Sequence, residues 1–526
     1  MGVLDWAVVG LYMLVMVGIG IWSKKKITDA SDFYVAGGKL PAWLVGISHH
    51  MSGYSAAVFV GYAALAYTTG FAVYVWWALS ITVACAVGAW LFAPRWPRLR
   101  QRLGIISPLE YLATRFDVPT EQLLAWSGAA LKIFDVAAKW VASAILLQVF
   151  TGLPMIWGIL VVGGVTMIYC TIGGIWADVM TDLGQFLIQL VAAVAMFGIV
   201  IVQLDGVSSL WTMWDQLPAG HASPFNNDLT VGFFLAYCLI STLSYNGGTW
   251  NLAMRMIATK SGREARRSML YSGALYLVWP LVLFVPMWAA PIFFPNLANP
   301  EESYALMAQE FLPPGLVGLV LAGMFAHTMS MTGSDANAIS SVVVRDIIPT
   351  LRRDRSFLPQ RRELFMARLT TFLFIVLSMG IALASDSFGG VLGLLILWFG
   401  ALVGPIAVPM LLGLLPAFRR SGSAAAITSW AVGLVVFAVN RYVLTDQIAG
   451  LGSANAQVVS VAAPVTASII VFVLYGVIRP DVRPEVDELV EALGREDGHD
   501  EARAAATNRR DDPTTTAGAV RGEAAP

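Results

Sequence analysis

The sequence predicts an all-α polytopic membrane protein, on three observations. Of the 526 residues, 57% are hydrophobic and only 13% are charged, whereas a soluble domain carries roughly 25% charge. Uncharged runs of about 20 residues, the length that crosses a bilayer as a helix, recur from end to end. The basic residues between these runs fall on alternate loops, as they do when such loops share one side of a membrane.

Taken in order, the apolar runs define thirteen spans, at roughly 4–22, 41–69, 71–94, 119–150, 154–172, 178–204, 229–256, 267–292, 313–343, 366–385, 388–417, 424–443 and 456–478. Lys24, Lys25, Lys26 and Lys39 lie in the first loop, and Arg95, Arg98, Arg100, Arg102 and Arg115 in the third. Lys260, Arg263, Arg266 and Arg267 follow the seventh span. Arg345, Arg352, Arg353, Arg355, Arg361 and Arg362 follow the ninth, and Arg419 and Arg420 the eleventh. Loops 205–228 and 293–312 contain no Lys or Arg. This asymmetry predicts the N-terminus outside and the C-terminus inside. The first run lacks a basic segment before it, which predicts a retained helix rather than a cleaved signal.

Three cysteines, Cys85, Cys170 and Cys238, all lie in apolar runs, a pattern of core packing rather than of a disulfide framework or metal set. There is no phosphate-binding glycine loop of the Walker type.

Two spans are predicted to be interrupted. The second carries Ser48 to Ser55, SHHMSGYS, and the seventh carries Ser244-Tyr245-Asn246-Gly247-Gly248 at its middle. Glycine weakens a helix there and frees carbonyls and N–H groups for solute. The breaks are five spans apart. That spacing fits two inverted five-helix repeats, about 41–204 and 229–417, each opening on a broken helix. Residues 1–480 then form the transmembrane domain and 481–526 an inner tail. Within the tail, Glu485 to Leu493 has an amphipathic pattern, and Glu496 to Pro526 is too poor in apolar residues to fold.

The ninth span carries a polar stripe. His327, Ser330, Ser334, Asn337 and Ser341 stand at offsets 0, 3, 7, 10 and 14 and share one helical face. Lipid cannot satisfy such a face, so it meets an ion, a water path or another polar helix. A seam glued by small polar residues is the bland alternative. Asp335 points about 140° from Ser330. Asp135, Lys132 and Lys139 in the fourth span are spaced to pair with one another, as structural charges or along an aqueous edge.

Five stretches, in order, carry a resemblance: DFYVAGGKLPAW (Asp32–Trp43), SPLEYLATRFD (Ser107–Asp117), TIGGIWADVMTDLGQ (Thr171–Gln185), RMIATKSGREARRS (Arg255–Ser268) and GPIAVPMLLGLLP (Gly404–Pro416). Together they resemble the sodium/solute symporter family of sugar, proline and pantothenate cotransporters, over about residues 5 to 480. The resemblance implies a LeuT-like core with alternating access. It implies a sodium ion held by the carbonyls of Met51, Tyr54 and His327 and the hydroxyl of Ser330, oxygen donors being what a hard cation prefers. Asp182 would stand on the inner ion route, with an ion pair to Arg255 as its structural alternative. Ser52, Ser55, Tyr245, Asn246 and Trp250 would contact the solute.

The chain departs from the family pattern at several of these positions. Met331 replaces the second sodium-binding hydroxyl with a thioether, a poor ligand for a hard cation; Thr332 stands beside it. The sugar-binding amides of the first broken helix are Gly53 and Val58 here, and an acidic partner in the next span is Trp77. Gly53 also replaces the acid of the proline carriers. His49, His50 and His327 in the same two helices offer proton coupling as the rival to sodium. The expectation is a multi-pass plasma-membrane transporter, in the inner membrane if bacterial. It would carry a small organic solute with sodium, and would need no cofactor and no nucleic acid. The alternatives are a proton-coupled symporter of the same fold, a membrane sensor without transport and, more remotely, a membrane-embedded enzyme.

Overall fold

A computed structural model describes residues 1–226, 229–352, 356–388, 403–451 and 453–495. Among these residues the regular structure is helical, save for one isolated parallel bridge between Leu40 and Thr259. The helices used below are α1 (Val3–Ser23), α2 (Ala42–Met51), α3 (Gly61–Thr69), α4 (Ser80–Leu91), α5 (Val118–Thr151), α6 (Met155–Gln203), α7 (Val231–Leu243) and α8 (Asn251–Ile257). They continue with α9 (Gly262–Phe293), α10 (Leu316–Val342), α11 (Gln360–Leu383), α12 (Gly404–Leu412), α13 (Ser423–Tyr442), α14 (Ser453–Ile478) and α15 (Pro484–Gly494).

Nine of the helices in the described residues are long and apolar enough to cross a membrane. The difference from thirteen predicted spans has three sources. The second and seventh spans are each divided, into α2 and α3 and into α7 and α8. The fifth and sixth merge into α6, whose 49 residues would stretch about 73 Å if straight. It folds back at Gly174, where φ is 47° and ψ −145°, a conformation open to glycine alone. Residues 389–402 of the eleventh span, predicted over 388–417, lie outside the described residues; its end is α12.

Side chains set where the helices start. Asp117 caps α5 by accepting from the Thr120 N–H at 2.8 Å, and Ser261 caps α9 through the Glu264 N–H at 3.3 Å. The cap of α10 comes from another helix. Asp5 of α1 accepts from the N–H groups of Gly315 and Gly318 at 2.7 and 3.0 Å. The close approach depends on Gly318, where a Cβ would lie 2.4 Å from the Asp5 carbonyl oxygen.

Of the nine membrane-length helices, α10 and its extension to Leu351 form the most buried. It is packed by α6, α5, α1 and α11. The polar stripe is therefore turned into protein: His327, Ser330, Ser334, Asn337 and Ser341 are all buried. On the side of the basic loops, Arg345 holds Glu110 at 3.0 Å and Glu363 at 3.1 Å, and Ser107 bonds Asp346. The amphipathic segment of the tail is α15. It buries Val486, Leu489, Val490 and Leu493, and the Leu493 carbonyl accepts from Arg98 at 2.8 Å. The segment predicted to be unstructured, Glu496 to Pro526, lies outside the described residues.

Candidate functional site

Both predicted breaks are present. The first helix stops at Met51, passes through extended backbone at Ser55 and a short tight turn (Ala56–Phe59), and resumes at Gly61. The second opens into a wide turn, Ser244–Gly248, with Gly247 at φ 118°, and restarts after Trp250, a non-glycine residue at φ 67°. The breaks touch: the Tyr245 hydroxyl donates to the Gly53 carbonyl at 2.6 Å.

At the first break most freed carbonyls are claimed by side chains. Tyr276 donates to His50 at 3.0 Å, Asn251 to Ser52 at 3.3 Å and Tyr245 to Gly53. No backbone N–H among the described residues donates to the carbonyls of Met51 or Tyr54. This part of the chain lies against α10. Tyr54 stacks on His327 with ring centroids 4.0 Å apart, the Ala56 N–H donates to Thr328 at 3.0 Å, and the Ser52 and Ser330 hydroxyls are 3.2 Å apart.

Beside that contact lies a polar cluster shared by four helices. Asp178 and Asp182 stand one turn apart on α6, Arg255 on α8, Ser330 and Ser334 on α10, and Ser48 and Ser52 at the end of α2; all are buried. Arg255 donates to Asp178 and Ser334 and to the Ser52 hydroxyl at 3.2 Å, and comes no closer to Asp182 than 3.5 Å. Asp182 accepts from Ser48 and, at 3.4 Å, from Ser52. Two carboxylates thus face one guanidinium. With all three ionised the group carries one uncompensated negative charge, and burying such a charge is costly unless a cation joins it.

A separate cavity of about 370 Å³ lies on the other side of the break. Tyr54, Ser55, Tyr62, Trp77, Tyr237, Tyr245 and Met331 line it, with Glu301 at its rim and Asp135 and Lys139 on one wall. Of the five residues expected to contact solute, Ser55 and Tyr245 line this cavity. Ser52 turns to the polar cluster. Asn246 donates to the carbonyls of Ala84 and Thr242 at 3.1 and 2.8 Å. Trp250 is fully buried with its ring against Gly128.

The residues that depart from the pattern have structural counterparts. Gly53 has no room for a side chain: a Cβ would lie 2.0 Å from the Tyr276 hydroxyl and 2.7 Å from the Tyr245 ring. Val58 and Trp77 face the cavity. Met331 faces it too, whereas the Thr332 hydroxyl is bonded back to the Thr328 carbonyl at 2.6 Å. His49 is held at both ring nitrogens, by Ser272 at 2.8 Å and the Tyr245 carbonyl at 3.0 Å, and His50 bonds Tyr54 at 3.2 Å.

Two features go beyond the sequence reading. Asp178 shares Arg255 with Asp182; the signal was the four-residue spacing of two acids on one helix. Asp335 does face away from Ser330, and it meets the fourth-span charges. Lys132 and Lys139 bond Asp335 at 2.5 and 2.6 Å and Asp135 at 3.2 and 2.7 Å.

With this geometry in view, comparison with known proteins is direct. A model of the sodium:solute symporter family matches residues 33–433. A sodium/sialic acid symporter of Proteus mirabilis is 25% identical over 465 residues, 84% of this chain and 90% of its own. The human sodium/iodide cotransporter is 26% identical over 439 residues, 80% of this chain and 67% of its own. Among solved structures, the substrate-bound outward-open state of a sodium-coupled sialic acid symporter superposes with a TM-score of 0.78 at 22% identity, over 92% of this chain and 99% of that one. A nucleobase-cation-symport-1 family transporter in a closed conformation superposes at 0.51 and 15% identity, over 88% of this chain and 98% of that one. What these structures share with the chain is the LeuT-like fold.

Proposed function

The chain belongs to the sodium:solute symporter family, and within that family we propose a division of labour between its polar cluster and its cavity. It is a multi-pass membrane transporter, and it carries a small solute with sodium as the coupling ion. Sodium sits between the first break and α10, on the carbonyls of Met51, Tyr54 and His327 and the hydroxyl of Ser330. The observation that carries this reading is the Tyr54 carbonyl, which no backbone N–H among the described residues takes up, beside a triad with one carboxylate more than its cation. A hard cation satisfies both deficits at once. Asp182, the carboxylate more loosely held by Arg255, receives the ion on its inner route.

The solute occupies the cavity, against Ser55, Tyr245 and the rings around them. Basic loops on one side favour the N-terminus outside and the tail inside. Glu301, from a loop without Lys or Arg, at the cavity rim supports an outward-facing state. The Tyr245–Gly53 bond then closes the base, and alternating access requires that bond to break.

Proteoliposome uptake tests the reading. Uptake driven by an inward sodium gradient at constant pH is the expected result. Uptake driven equally by a proton gradient without sodium would overturn it.

A further inference from the structure

The cavity has one charged wall, and its wiring is asymmetric. Lys132, Asp135 and Lys139 of α5 and Asp335 of α10 form a ring of alternating charge with contacts of 2.5 to 3.2 Å, each member at most 3% exposed. Two ammonium groups against two carboxylates make the ring formally neutral. Neutrality lets it persist away from water; removing any one member would strand a buried charge.

Its hydrogen bonding is not closed on the cavity side. Asp335 uses both oxygens, Oδ1 for Lys132 and Oδ2 for Lys139. Asp135 takes both lysines on the single oxygen Oδ2, which leaves Oδ1 with lone pairs to offer. Lys139 spends two N–H groups on the carboxylates, and an ammonium has three. Asp135 and Lys139 are also the two members that line the cavity. Its charged wall therefore presents one anionic acceptor and one cationic donor side by side. Facing them are aromatic rings, with Trp77 packed edge-on against Tyr54 and Tyr62, each at 5.2 Å.

We propose that the solute is a zwitterion: its ammonium group meets Asp135 Oδ1, its carboxylate meets Lys139, and its remaining body lies on the aromatic wall. This assignment rests on the reading of the cavity as the solute site. Charge balance argues for it. A solute with only a carboxylate or only an amine would bring net charge to a neutral ring held in a medium that does not screen it. A zwitterion extends the alternation by one more pair and leaves the sum at zero.

The test uses the full-length protein in detergent with sodium present. Its melting temperature is followed against a panel of zwitterions from glycine betaine to L-tryptophan. Each is paired with its carboxylate-only and amine-only analogues, and glucose stands for neutral polyols. The expected result is saturable stabilisation by at least one zwitterion and at least about tenfold weaker binding of both its analogues, the loss of one charge-assisted hydrogen bond. Lys139→Arg, which keeps the charge, should retain that selectivity, and Asp135→Asn should lose it. Equal or tighter binding of an analogue or of glucose, or no response to any zwitterion, would overturn the assignment. Sodium-driven uptake separates the two readings. If a zwitterion binds selectively but no sodium gradient drives its entry, the symport reading fails and the site stands. If sodium drives entry of a solute of another charge class, symport stands and the zwitterion falls.

Discussion

The Tyr245 hydroxyl donates to the Gly53 carbonyl at 2.6 Å, across 192 positions of sequence. The bond joins the two helix breaks directly, under the cavity that both residues line. The two segments are also joined by His49 on the Tyr245 carbonyl at 3.0 Å and by Asn251 and Arg255 on Ser52 at 3.3 and 3.2 Å, and Tyr245 packs its ring on Tyr276 of α9.

Tyr245→Phe removes the hydroxyl and keeps the ring. A buried hydrogen bond is worth about 1 kcal/mol net, which is about fivefold in a conformational equilibrium. The variant should favour the inward-facing state by about that factor, read as faster solute efflux from preloaded proteoliposomes. An unchanged efflux rate would mean the bond does not hold the base closed.

Gly53→Ala adds a single methyl group where a Cβ lies 2.0 Å from the Tyr276 hydroxyl. Tyr276 or the break must move, and overpacking of this kind costs about 1–3 kcal/mol. Uptake should fall sharply while the protein still reaches the membrane. Wild-type uptake in Gly53→Ala would show that the break repacks without consequence.

Ser330→Ala withdraws the one side-chain oxygen proposed for sodium. The sodium concentration for half-maximal uptake should rise about tenfold, the scale of one lost charge-assisted contact. The companion substitution Met331→Ser should act differently, because Met331 lines the cavity. It is expected to change the KM for solute more than the sodium requirement. The opposite pattern would move residue 331 to the ion side.

Arg255→Met leaves Asp178 and Asp182 buried without their guanidinium. Breaking a buried pair from one side costs about 3–5 kcal/mol, so the thermal transition should drop steeply and expression with it. Asp178→Asn added to Arg255→Met removes the most closely bonded of the stranded charges and should recover part of the loss. No recovery would mean that Arg255 acts by packing rather than by charge.

Asp5→Ala removes the acceptor that α1 supplies to the start of α10. Loss of a cap costs about 0.5–2 kcal/mol, and a lower melting temperature in sodium-free detergent is the measurement. Because Asp5 does not line the cavity, solute KM should stay within about twofold, within the range of a purely structural change.

The sequence by itself determined the class of the molecule and much of its skeleton. Apolar run length, loop charge and glycine clusters are local properties, and they located the breaks at Ser48–Ser55 and Ser244–Gly248 and the polar stripe from His327 to Ser341. The family resemblance implied that Ser330 stands beside the first break, and its hydroxyl lies 3.2 Å from that of Ser52. Tertiary structure decided how the side chains at the breaks are shared out. Helical periodicity predicts a facing direction only while the helix continues. Across a break it gives none, so Ser52, Asn246 and Trp250 turned to the polar cluster or to neighbouring helices while Ser55 and Tyr245 kept the cavity. The same limit applies to charge. Spacing revealed that Lys132, Asp135 and Lys139 could pair with one another. Only the packing of α5 against α10 brought Asp335, 200 residues later, into their ring, because a buried charge takes whatever partner the fold sets within reach.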